Sequence, residues 1–180
     1  VTERILLPTL HALRKRDTPF TGLLYAGLML TDEGPQVVEF NCRFGDPETQ
    51  AILPMLDSSL LEPMLAIARG ARIGSMPALR WRDGASVTTV VAASGYPDTP
   101  RSGDVISLPD EDATRRVYHA GTTRASDGTL RTSGGRVVAV TGLGATFDEA
   151  RRISREGAAA VGFDGAQFRG DIGWREAARR

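Results

Sequence analysis

Three side chains with chemical potential stand at alternate positions: a carboxylate at Glu39, an amide at Asn41 and a guanidinium at Arg43. In a strand, alternate residues share a face and lie roughly 6–7 Å apart along it. Carboxylate and amide oxygens are the hard donors that Mg²⁺ prefers. Mg²⁺ takes one or two of them and leaves its other positions to water and nucleotide phosphates. A guanidinium just beyond could hold an anion through paired hydrogen bonds. Such a face suits a nucleotide or an acyl phosphate. It is equally the solvated side of an edge strand, since a glutamate and an asparagine two apart recur by chance.

The next residues add a second possibility. Asp46 is a good N-cap and Pro47 fits a first helical position, so a helix is predicted from Pro47 to about Leu56, bent or ended by Pro54. Helix starts favour anions. Asp46 could therefore serve chemistry or only cap its helix.

These residues need elements to position them. Val1 to Arg16 reads as a helix with one apolar stripe and Pro8 near its start. Gly22 to Thr31 is a strand apolar enough to be buried on both faces. Asp32-Glu33-Gly34-Pro35 is turn chemistry, and Gln36 to Phe44 returns as the second strand of a hairpin. On that strand Val38, Phe40 and Cys42 form the face opposite Glu39 and read as core.

Ser59 with Glu62 forms a capping-box pattern for a helix ending near Gly70. From about Ala78 short apolar runs alternate with breaks: Ala85 to Ala93, Val105 to Leu108, Arg116 to Ala120 and Arg136 to Thr141. Thr146 and Glu149 make a second capping box, for a helix to about Val161. The order gives an α+β class, with a domain boundary near Met76-Pro77 that separates residues 1–77 from 78–180.

The chain has 180 residues, with 22 basic and 22 acidic side chains. Net neutrality argues against a general nucleic-acid binder. No apolar stretch is long enough for a membrane span. The single cysteine, Cys42, can make no internal disulfide, and a reducing cytoplasm is the simplest reading. His11 reads as a surface residue and His119 as structural. Gly134-Gly135 reads as a hairpin turn more readily than as a phosphate contact. Trp81 and Trp174 read as packing anchors, Met55 and Met64 as helix core, and Asp110-Glu111-Asp112 as a solvated loop.

The stretches Gly22 to Thr31 and Val38 to Gln50, above all Arg43-Phe-Gly-Asp-Pro-Glu-Thr-Gln50, resemble the phosphoribosylamine–glycine ligase family of ATP-grasp enzymes in purine biosynthesis. His119-Ala-Gly-Thr122, Ser133-Gly-Gly-Arg-Val137 and Arg169-Gly-Asp-Ile-Gly-Trp174 are similar to that family's C-terminal domain. The resemblance implies a fold: the C-terminal part of an ATP-grasp core in 1–77, then a small β-rich C-terminal domain in 78–180. It implies ATP with Mg²⁺ or Mn²⁺ as cofactor, held by Glu39 and Asn41. It implies catalytic roles for Arg43 and Asp46, and substrate binding by Arg43, Asp46 and Glu48.

The implied substrates are glycine, 5-phosphoribosylamine and ATP, joined through a glycyl phosphate to give glycinamide ribonucleotide. No enzyme nucleophile is required. The resemblance also implies that an N-terminal portion of the same enzyme, with most of the nucleotide pocket, precedes Val1. The 180 residues alone are then expected to be inactive. Two other readings remain: another ATP-grasp ligase or carboxylase, since such metal strands recur across the superfamily, and a non-catalytic module derived from that fold.

Overall fold

The computed structural model describes residues 1–71, 74 and 76–179. The chain forms two compact units. One takes Val1–Asp46 and Ser58–Arg80, the other Pro47–Asp57 and Trp81–Arg180.

In the first unit a π-helical turn, Thr2–Leu6, runs into helix α1 (Leu7–Lys15), with Pro8 in the first turn, where no amide hydrogen is needed. Strands β1 (Tyr25–Thr31) and β2 (Gly34–Asn41) form the predicted hairpin. Gly34 closes its two-residue turn at φ +102°, and the Thr31 hydroxyl donates to the Gly34 carbonyl at 2.9 Å. The expectation that β1 is buried on both faces fails: Met29 is 50% and Leu30 68% exposed. The predicted core face of β2 is open too, with Val38, Phe40 and Cys42 all exposed. Among the described residues the two strands pair only with each other.

Helix α3 (Leu61–Ala68) follows the second segment's entry into this unit. Its N-cap is Leu60 without a side-chain hydrogen bond, so the Ser59–Glu62 capping box does not form. The helix begins one residue later than the pattern requires, which puts Glu62 at the second helical position instead of the third. Its end is as expected. Gly70 sits at φ +74°, its amide donates to Ile67 and that of Ala71 to Ala66, a Schellman closure. Met64 is half exposed, not core.

The second unit is built on a four-stranded antiparallel sheet. Its strands are β3 (Ala85–Ala92), β4 (Arg115–His119), β7 (Arg136–Gly144) and β8 (Gln167–Phe168), in the order β4-β7-β3-β8. Strands β5 (Thr122–Arg124) and β6 (Leu130–Thr132) form a separate small hairpin. The predicted strand Val105 to Leu108 makes only single bridges, at Val105 and Ser107.

Helix α4 (Phe147–Ala159) lies on β3 and β7. It opens as predicted: the Thr146 hydroxyl accepts the Glu149 amide at 3.2 Å, and the Glu149 carboxylate accepts the Ala145 amide at 2.8 Å. Its buried residues are Ala150, Ile153, Ser154, Gly157 and Ala158, a helical stripe of mostly small side chains. Small residues let the helix come close. The Ser154 hydroxyl donates to the Val140 carbonyl at 2.9 Å and, its hydrogen spent, accepts from Thr89 at 2.8 Å. The valines Val91, Val137, Val138 and Val140 are fully buried around this contact.

Helix α2 (Glu48–Ile52) and a 3₁₀ turn (Leu53–Met55) belong to this unit as well. Pro54 sits in the 3₁₀ turn and ends the α-helix, as expected of a residue without an amide hydrogen. The sheet grips α2 through its backbone. Ser86 donates its hydroxyl to the Ala51 carbonyl at 2.6 Å, and Thr141 donates to the Gln50 carbonyl at 3.0 Å. Thr88 then donates to the Thr141 hydroxyl at 2.7 Å, since the hydrogen of Thr141 is already committed.

Trp81 and Trp174 are about half exposed, at 52% and 51%, and do not anchor the core. A short helix α5 (Trp174–Ala177) closes the described chain, with the Arg175 guanidinium 5.4 Å from the Trp174 ring centre.

The acidic run Asp110–Asp112 is exposed, yet Asp112 organises the entry to β4. It accepts the Thr114 amide at 2.6 Å, the Thr114 hydroxyl at 2.7 Å and the Arg115 amide at 2.9 Å. The Thr114 hydroxyl and then its amide hold the Asp112 carboxyl below the ordinary aspartate range. A carboxyl with a depressed folded pKa stabilises fully above its unfolded value and loses that contribution as pH falls through the folded value. The Asp112→Asn variant is therefore expected to melt below the wild type at neutral pH. The gap should close as pH falls below about 4, which thermal melts across pH 2–7 would show.

Candidate functional site

Strand β2 delivers Glu39 and Asn41 to the same side of the hairpin. The Asn41 amide Nδ2 donates to Glu39 Oε1 at 2.8 Å. An ionised carboxylate can only accept, so the nitrogen of Asn41 faces Glu39 and its carbonyl Oδ1 is left for another partner. The second Glu39 oxygen is likewise uncommitted to this bond. The pair thus offers hard oxygen donors from two side chains on an accessible face.

The facing strand makes room for them. Glu39 lies opposite Gly27 and Asn41 opposite Tyr25. A Cβ at position 27 would stand 3.1 Å from the Glu39 Cγ. The register shifts beside this pair, between Gly27 and Leu28, and leaves Val38 unpaired. Bulges of this kind re-aim neighbouring side chains. Gly27 was not singled out from the sequence. The available signal was a glycine inside an otherwise apolar strand, which marks close approach.

Arg43 does not continue the row. Strand β2 ends at Asn41 and the chain bends at Cys42 and Arg43, so the alternation that would put Arg43 on the Glu39 face no longer applies. Its guanidinium donates to the adjacent Phe44 carbonyl at 2.8 Å. Asp46 is not the N-cap of α2. That position is Pro47, and the helix has no side-chain cap because it begins at Glu48. Arg43 and Asp46 lie in the first unit, and Glu48 opens α2 in the second.

The donor set fits a divalent cation of the Mg²⁺ type. Such an ion uses one or two protein oxygens and fills the rest of its octahedron with water and phosphate oxygens. Among the described residues no group of three or more His, Cys, Asp or Glu stands together, so a closed all-protein metal cage has no counterpart here.

His11 is exposed, and His119 Nδ1 lies 3.1 Å from the Thr122 hydroxyl at the end of β4. Gly134-Gly135 links β6 to β7, which pair with different strands, so it is not a hairpin turn. Gly134 packs on the Gly121 backbone, and a Cβ at Gly135 would strike the Tyr96 ring.

No helix among the described residues is long and apolar enough to cross a membrane. Residues 86–175 match the family model "Phosphoribosylglycinamide synthetase, C domain", and residues 1–49 match "Phosphoribosylglycinamide synthetase, ATP-grasp (A) domain". The phosphoribosylamine–glycine ligase of Mycobacterium tuberculosis is 48% identical over 177 residues, which cover 98% of this chain and 41% of that relative. The crystal structure of the Thermotoga maritima phosphoribosylamine–glycine ligase superposes with a TM-score of 0.77 at 40% identity, covering 91% of this chain and 40% of that one. The biotin carboxylase domain of the Hydrogenobacter thermophilus 2-oxoglutarate carboxylase shares the fold alone, with a TM-score of 0.60 at 15% identity over 92% of this chain and 37% of that one. The chain spans about two-fifths of the length of the curated relatives it matches.

Proposed function

The chain belongs to the phosphoribosylglycinamide synthetase family, and from that premise we propose that in the full-length enzyme it supplies part of the site that joins glycine to 5-phosphoribosylamine at the expense of ATP. The observation that carries this reading is the Asn41–Glu39 hydrogen bond of 2.8 Å, which sets two oxygen-bearing side chains together on one face of β2. Glu39 and Asn41 would hold Mg²⁺, or Mn²⁺ in its place. Bound there, the cation offsets the negative charge of the ATP phosphates.

Arg43 and Asp46 are the residues we assign to the reacting phosphoryl group, and with Glu48 to glycine and the phosphorylated amine. In the first step a glycine carboxylate oxygen bonds to the γ-phosphorus and the bond to the ADP oxygen breaks, giving glycyl phosphate. In the second the amine of phosphoribosylamine attacks the acyl carbon, phosphate leaves and the amine gives up a proton. The Arg43 guanidinium would meet the charge that develops on the phosphoryl oxygens, and no enzyme nucleophile is required.

Residues 1–77 are then the second half of an ATP-grasp domain and 78–180 a β-rich C-terminal domain, a division supported by family matches on 1–49 and 86–175. The lone Cys42 is free, which supports the cytoplasm as the compartment. The test is product analysis on the full-length enzyme. One ADP, one phosphate and one glycinamide ribonucleotide are expected per turnover, only when glycine and phosphoribosylamine are both present. ADP release that requires bicarbonate in place of glycine would point to a carboxylase, and no ADP release at all to a binding module.

A further inference from the structure

Helix α2 has little of its own to keep it in place. It is five residues long, Glu48–Ile52, with no side-chain cap and no buried side chain. Isolated helices of this length are marginal in water. Its hydrogen bonding is also cut short. The Leu53 amide donates to the Thr49 carbonyl. In a continuing α-helix the next carbonyl, that of Gln50, would take the amide hydrogen of residue 54, and Pro54 has none.

The sheet supplies what the helix lacks. Thr141 on β7 is fully buried and donates its hydroxyl to the Gln50 carbonyl at 3.0 Å. Ser86 on β3 donates to the Ala51 carbonyl at 2.6 Å. Thr88 stands opposite Thr141 in the β3–β7 ladder, and its hydroxyl donates to that of Thr141 at 2.7 Å. That bond fixes the direction of the Thr141 hydrogen toward Gln50. Both held carbonyls lie on the single helical turn that Glu48 opens.

We propose that Thr141 and Ser86 are positioning residues for the reaction: by holding α2 through its backbone they fix where the Glu48 carboxylate stands. They act through α2 and not on a reactant. Two features separate this role from ordinary core packing. The Thr141 bond replaces a helical donor that Pro54 removes, so it answers a defect in the very segment that carries Glu48. The comparable buried hydroxyl pair of the same sheet, Thr89 with Ser154 at 2.8 Å, joins β3 to α4 instead. The assignment rests on the ligase reading.

The experiment uses the full-length enzyme, with steady-state kinetics for each substrate, thermal melts and hydrogen exchange of the peptide that covers α2. Thr141→Val keeps the shape and removes the donor. It should lower kcat/KM for glycine and for phosphoribosylamine about 10-fold, short of the roughly 100-fold that a 1 Å misplacement can cost. The KM for ATP should stay near the wild-type value, exchange in α2 should quicken, and Thr141→Ser should recover most of the loss. Thr89→Val removes the matching bond to α4 and should lower the melting temperature to a like degree with the kinetic constants unchanged. Ser86→Ala, at the partly exposed start of β3, decides the matter if Thr141→Val fails to fold. Unchanged kcat/KM in a folded variant overturns the proposal, as does an equal fall in Thr89→Val, which would mark a general loosening of the sheet. Ligation by wild type with insensitive variants sinks the positioning role and leaves the ligase reading. No ligation by wild type, with faster α2 exchange in Thr141→Val, removes the ligase reading and keeps the hold on α2.

Discussion

Glu39→Ala in the full-length enzyme is expected to lower Mg²⁺-dependent ADP release by on the order of 100- to 1,000-fold, the scale of losing one preorganised charge-stabilising contact. Two effects add. The substitution removes the only anionic donor of the pair, and it strips Asn41 of the acceptor that orients its amide. Without that acceptor the amide is free to rotate and its oxygen no longer has a fixed direction. Glu39→Gln keeps an oxygen but not the charge, so part of its loss should be recovered at high Mg²⁺. Glu33, an exposed carboxylate in the β1–β2 turn, is the control: Glu33→Ala should leave turnover unchanged. Near-normal ADP release from Glu39→Ala would remove this residue from the metal site.

The second large effect concerns stability. Gly142 on β7 lies under α4, and a Cβ there would fall inside the Ala150 carbonyl oxygen and 2.5 Å from the Ser154 amide nitrogen. Both are helix backbone atoms, so no side chain can swing aside. Gly142→Ala must lift α4 from the sheet and stretch the Ser154–Val140 hydrogen bond. The expected cost is about 3 kcal/mol, the upper end for overpacking a core. Both tryptophans lie in this unit, so urea unfolding of the 180-residue chain followed by tryptophan fluorescence reports on it. Gly170→Ala, which meets nothing within 4 Å and needs no left-handed backbone, should leave the midpoint in place. A Gly142→Ala midpoint equal to wild type would mean that the helix does not sit as close as described.

Much of this was legible in the residues. The hairpin announced itself through apolar runs around Asp32-Glu33-Gly34-Pro35, and the shared face of Glu39 and Asn41 followed from strand alternation alone. The Thr146–Glu149 box foretold the start of α4. The Ser59–Glu62 box has the same lettering and does not form, because cap chemistry is decided by where the backbone turns helical and not by the side chains available. Strands β5, β6 and β8 have two or three residues each, too few for any periodicity to show. Burial of Val38 and Phe40 was read from hydrophobicity, but hydrophobicity says what a side chain favours, not what lies opposite it. Arg43 left the expected face because the strand stopped at Asn41, three residues before its expected end at Phe44. The hold of Ser86 and Thr141 on α2 has no local spacing to read, since tertiary pairing of β3 and β7 brings those hydroxyls together.

The clasp on α2 has an evolutionary corollary. Ser86 and Thr141 take hold of carbonyl oxygens, which every amino acid possesses, so the grasp does not depend on which side chains occupy positions 50 and 51. Descendant sequences are free to drift at those two helical sites as far as anchorage is concerned. Selection for keeping the helix in place falls instead on two hydroxyls far along the chain, in strands whose own letters give no hint of what they restrain.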